Sequence, residues 1–135
     1  MPEFTRAGTD RINAFEVEGT YLFKHYFEDE EIFAELKEHY NQYEYRFEVP
    51  AFRFEDVQAL LRRHGYDLAV VDDVTPFTVV KRKYTNHPEI LFEGAVLHRD
   101  LGNFNCFVMK DRSTVQQAVA QGARQLGDTD LEAPI

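Results

Sequence analysis

A histidine and an aspartate two positions apart on a strand point the same way, and an aspartate that orients a histidine can set its tautomer for general-base work. The run "VLHRDLGNFNCFVMKD", Val96 to Asp111, holds such a pair in His98 and Asp100, with Asn105 close behind. These three are the candidates for proton transfer. No nucleophile stands beside them. The single cysteine, Cys106, is flanked by Asn105 and Phe107 and falls on the other side of the strand from Asn105, the pattern of a small buried hydrophobe rather than a redox or catalytic thiol. The five histidines, His25, His39, His64, His87 and His98, show neither H-x-H nor H-x-x-x-H spacing. No metal site and no cofactor is expected from them.

His98 to Asn105 also spells His-Arg-Asp-Leu-x-x-x-Asn, the wording of a protein-kinase catalytic loop. The companions of that loop are missing. The seven glycines include no G-x-G, no Asp-Phe-Gly follows, and 135 residues are too few for two lobes. Gly102-Asn103 between two alternating apolar runs is a hairpin signal instead, because a two-residue loop needs positive φ at its centre. That loop would pair Leu101 with Phe104, Asp100 with Asn105, Arg99 with Cys106 and His98 with Phe107.

The same logic extends upstream. If "NHPE" is a four-residue loop, Arg82 falls opposite Glu93, a favourable cross-strand pair. One face of the resulting meander carries Val80, Tyr84, Leu91, Ala95, Leu97, Leu101, Phe104, Cys106 and Val108 and is assigned to the core. The other carries Val79, Lys81, Lys83, Phe92, Val96, His98, Asp100, Asn105, Phe107 and Met109. It is too apolar for a wet face, yet it holds several polar groups, a mixture that suits a ligand groove, a partner surface or a dimer interface. The binding candidates are Lys81, Lys83, Phe92, His98, Asp100, Asn105 and Phe107.

Periodicity supplies the elements that must position these residues. Phe15 to Phe27 predicts a strand bent near Gly19, and "EDEEIFAELKEHYN" a helix with Ile32, Phe33, Leu36 and Tyr40 on one stripe. Its acid run suits the positive end of the helix dipole. "YEYRFEV" alternates strictly and predicts a half-buried strand. A second helix follows on Phe54, Val57, Leu60 and Leu61, stopped by Gly65. Leu68 to Asp72 is apolar enough for a central strand. The meander strands are then Phe77 to Thr85, Ile90 to Leu101 and Phe104 to Lys110. Ser113 and Gln116 announce a third helix, with Val115, Ala118, Val119, Gly122 and Leu126 facing the sheet. The order β-α-β-α-β-β-β-β-α predicts an α+β fold, a mixed, mostly antiparallel sheet with helices packed on one face. A single domain is expected over residues 11–126, with residues 1–10 and 127–135 as flexible arms.

The charge is −9, with 24 acidic residues against 15 basic. Few of the cations are lysines, a balance resembling that of proteins from very salty cytoplasm, where self-repulsion is tolerated. Such a field opposes nucleic acid, whose backbone needs clustered cations. One cysteine excludes an intrachain disulfide, and no run approaches the ~20 apolar residues needed to span a bilayer, so a cytoplasmic location without membrane contact is expected. The leading expectation for function is a noncatalytic binding or regulatory module acting through the mixed face as a homodimer. Its partner would be a second copy or another protein, with a small molecule also open. A small-molecule enzyme using His98 and Asp100 ranks second. A single-strand nucleic-acid binder using Lys81, Arg82 and Lys83 ranks third.

Overall fold

A computed structural model of the protein describes residues 10–135. The N-terminal arm expected over residues 1–10 lies, but for Asp10, outside the described residues. The fold is α+β, with two mostly antiparallel sheets where one mixed sheet was expected. The chain divides into two compact units, one ending at Val71 and the other beginning at Asp72. No Pro/Gly/Ser-rich linker marks the division, which leaves composition blind to it.

The first unit starts with β1 (Asp10–Val17) and β2 (Thr20–Phe23), the two arms of a hairpin. The bend expected at Gly19 is a full reversal. Glu18 and Gly19 both take positive φ, 50° and 82°, as a two-residue turn between twisted strands requires. Then come α1 (Glu30–Leu36), β3 (Tyr40–Asn41), β4 (Arg46–Pro50), α2 (Ala51–Arg63) and β5 (Tyr66–Val70). Asp29 caps α1 by accepting from the Glu31 amide at 2.9 Å. Gly65 ends α2 at φ 88°, as its position predicts.

The strands order as β3-β4-β2-β1-β5, with β1 and β5 the one parallel pair. β5 is therefore an edge, not the central strand its apolar run suggested. Ile12, Tyr21, Phe23, Phe47 and Val49 meet Phe54, Val57 and Leu61 of α2 in one core. On the opposite side of β4 the alternation leaves polar groups, where Asn41 and Arg46 both donate to Glu48, at 2.9 and 2.8 Å. Burial pulls the Glu48 carboxyl up, but those two donors and the Arg46 charge outweigh it, and Glu48 sits below the usual glutamate range.

The second unit holds β6 (Thr78–Arg82), α3 (Ile90–Glu93), β7 (Ala95–Leu101), β8 (Phe104–Met109), α4 (Arg112–Ala120) and β9 (Arg124–Gln125). Its sheet runs β7-β8-β6-β9, all antiparallel. The Gly102-Asn103 hairpin forms in the expected register, including Asp100 opposite Asn105 and His98 opposite Phe107. The expected pairing of Arg82 with Glu93 does not form. Ile90 to Glu93 coils into a helical turn behind Pro88, with the Leu91 amide bonded to the Pro88 carbonyl at 3.1 Å. β8 takes the place beside β6, and Arg82 lies opposite Phe104 with its guanidinium 5.4 Å from the ring centroid. Tyr84, expected in the core, is fully exposed in the turn after β6 at φ 63°.

A bulge between Ala95 and Leu97 turns Ala95 to the face of Met109, away from the Cys106 face it was assigned to. Gly94 makes the switch from α3 to β7 possible. A Cβ there would meet the Met109 side chain at 3.0 Å and Thr114 Cβ at 3.1 Å. The third expected helix starts earlier than Ser113 implied. Asp111 is the cap, its carboxylate accepting from the Thr114 amide at 2.8 Å while its own amide donates to the Thr114 hydroxyl at 3.3 Å. α4 ends at Ala120, so Gly122 and Leu126 are not on it and Val119 is largely outward. Leu126 joins Val80 and Cys106 in a buried cluster on the opposite face of the sheet, and Leu131, partly buried, packs against it.

The aromatic density of the first unit converges on Phe47, 1% exposed. Its ring stacks on Phe23 at 4.9 Å and meets Tyr40 at 5.0 Å, Phe27 at 5.8 Å and Phe33 at 6.1 Å. Phe47→Ala is expected to cost about 3–5 kcal/mol, because the void cannot collapse around four other rings. Urea unfolding measures it, with Phe47→Leu losing less. An unchanged midpoint in Phe47→Ala would show that these rings do not act as a core.

Candidate functional site

The mixed face is closed at one end and open at the other. Over the closed end, α4 lays Val115 and Ala118, and α3 lays Leu91, on Val79, Phe107 and Met109. All of these are buried, as is Val96, so they belong to the core. Toward the hairpin tip the cover stops. There the register builds two rows across β6, β8 and β7, first Val79, Phe107 and His98, then Lys81, Asn105 and Asp100.

Phe107 links the two ends. Its ring is 1% exposed, yet it carries His98 face to face at 4.7 Å and 7°, and Phe92 edge-on at 5.6 Å and 89°. Phe92 is 55% exposed, and His98 is exposed as well. A fourth ring, His87, comes from the loop before α3 and lies 6.0 Å from Phe107 and 6.3 Å from Phe92. The rings form a partly open platform held from beneath by a core residue.

Polar contacts set the orientation of the rest. His87 Nδ1 lies 2.7 Å from the Thr85 carbonyl, which can only accept, so Nδ1 carries the proton. Its Nε2 is then the acceptor for the Asn105 amide at 3.2 Å. Asp100 faces Lys83, with 3.2 Å between carboxylate and ammonium. The three candidates for proton transfer do share one face, as the hairpin predicts. However, Asp100 is turned to Lys83 and Asn105 to His87, while His98 is held by its stack on Phe107. The Asp100 contact in this cluster is to Lys83 rather than to an imidazole nitrogen of His98.

The basic run divides by strand alternation. Lys81 donates to the Gly122 carbonyl at 3.4 Å, Lys83 pairs with Asp100, and Arg82 goes to the opposite face over Phe104. Each cation has a local partner, and they do not share one surface. Cys106 also lies on the opposite face, 1% exposed, and burial pushes its thiol up to about 11.

Of the binding candidates, Lys81, Lys83, Phe92, His98, Asp100 and Asn105 come together around the open end, and Phe107 supports them from the core. His87 joins them without a local sequence signal. It lies in "NHPE", which reads as an ordinary loop, and only the fold of that loop beside α3 brings it to Asn105. No known family model matches the chain, and no curated protein or solved structure matches it.

The buried thiol predicts slow labelling of native Cys106 by a disulfide reagent near neutral pH. The rate should climb with pH toward about 11, as the thiolate forms, and become fast at any mildly alkaline pH once urea exposes the side chain. Fast labelling of the folded protein at neutral pH would contradict the burial.

Proposed function

We propose that the chain is a noncatalytic binding module whose second unit acts through the open end of its sheet, and that it self-associates there as a homodimer. The observation that carries this reading is the half-exposed Phe92 and exposed His98 beside β7, an edge strand of its sheet. Aromatic rings fixed from below and wet on top are what the centre of an interface uses. An edge strand supplies backbone donors and acceptors for a second strand.

A second copy fits that edge by charge. In a two-fold antiparallel pairing of β7 with β7 centred on Arg99, residues of the same face meet, and His98 of one copy can stand opposite Asp100 of the other. Each copy offers the same surface, so the contact closes on itself and stops at two. The pairing of Asp100 with Lys83, and the absence among the described residues of a carboxylate contact at His98, favour binding over proton transfer. The placement of Arg82 on the face opposite to Lys81 and Lys83, with a local partner for each, favours a protein surface over a nucleic-acid backbone.

Sedimentation in low and in high salt tests this. The species expected at high protein concentration has twice the 15.8 kDa chain mass, falling to one chain mass on dilution. Phe92→Asp and His98→Asp, both at exposed positions, should weaken association by roughly tenfold or more with the circular dichroism unchanged. A monomer at every concentration, or variants that associate like the parent, would overturn the proposal.

A further inference from the structure

The first unit has a groove of about 540 Å³ lined by His25, Tyr26, Phe27, Glu28, Glu30, Phe33, Tyr40 and Phe47. Six of these eight side chains are aromatic rings and the other two are carboxylates. Neither lysine nor arginine is among them. We propose that this groove is a binding site for a small organic cation, an alkylated ammonium head group seated against ring faces with a carboxylate at the mouth.

The walls are already built. Phe33 and Tyr40 meet edge-on at 5.2 Å on one side, His25 and Phe27 lie 4.8 Å apart on another, and Phe47 is the most deeply buried ring of the set. Phe33 also contacts Phe47 at 6.1 Å, so the packing of the core holds the inner rings in place. Such rings lose little conformational entropy when a ligand arrives. Tyr26 stands at the rim, 82% exposed, a costly place for a large ring that has nothing to cover.

Charge selects the ligand. Ring faces present the negative side of the aromatic quadrupole, which attracts an ammonium within about 6 Å of the centroid. Glu28 and Glu30 are both exposed and make no ion pair among the described residues. The neighbouring Asp29 has structural work, since it caps α1 through the Glu31 amide, whereas Glu28 precedes the helix and takes no part in that cap. An anion would meet two carboxylates here, and a neutral apolar ligand would leave them unused. The volume lies in the range that encloses a small molecule.

The probe is choline, compared with 3,3-dimethylbutan-1-ol, its uncharged carbon isostere, by amide chemical-shift titration of the intact chain. Choline should shift amides between residues 25 and 47 with millimolar affinity, and the isostere should bind about three- to fivefold more weakly or worse. Tyr26→Ala, at an exposed position, should weaken choline by a similar factor. Glu28→Gln with Glu30→Gln should remove most of the salt dependence of binding. If choline leaves these amides unmoved up to tens of millimolar, or the isostere binds as well as choline, the site is not a cation site. Neither outcome bears on self-association, which depends on residues of the other unit.

Discussion

The open end of the second sheet depends on the ring of Phe107. A central strand must bury its side chains on both faces, and β8 does so over most of its length, with Phe107, Val108 and Met109 all closed from solvent. Phe107 is the last buried residue on its face before the helical cover ends. Its inner part is held by core neighbours, while its flat surface carries His98 at 4.7 Å and its edge meets Phe92. Two exposed rings are thereby held by packing against a core residue. Nearby, His87 bonds Asn105 and Lys83 pairs with Asp100, so the surrounding polar groups are tied down as well.

Such an arrangement suits the binding role proposed for it better than proton transfer. Proton transfer needs a base free to reach a substrate, with a partner that sets its protonation. In this cluster the carboxylate and the amide are each engaged elsewhere, and the accessible histidine presents mainly a ring face. Ring faces recognise shape and apolar surface. The groove of the first unit uses aromatic rings differently, since there they line a concavity that has carboxylates at its mouth and no lysine or arginine among its lining residues.

Local rules were sufficient where neighbouring residues decide the structure. The Gly102-Asn103 loop and the alternation on either side of it set a hairpin whose register is legible pair by pair. The second helix and its Gly65 stop were legible for the same reason. Elsewhere the deciding interaction was distant or ambiguous. "ILFE" is apolar and short enough to suit a strand or a helical turn, and the chain geometry behind Pro88 selects the turn. Once that happens β8, not β7, pairs with β6, and the expected meander is lost. The apolar run of β5 suits a central strand, but its parallel pairing with β1 at the sheet edge is a tertiary choice. Asp111 outcompetes Ser113 as the cap because Thr114 returns a bond to its backbone.

The candidate site follows the same division. His98, Asp100 and Asn105 were found because they share a hairpin, and their common face follows from its register. Their actual partners were not legible, because Lys83 arrives from the turn after β6 and His87 from the loop beyond. The most direct test of a self-associating module built on this end is hydrogen exchange of the His98–Leu101 segment as a function of protein concentration. Exchange should slow at high concentration and recover on dilution, with β6 unchanged. Exchange that is the same at every concentration would contradict the account.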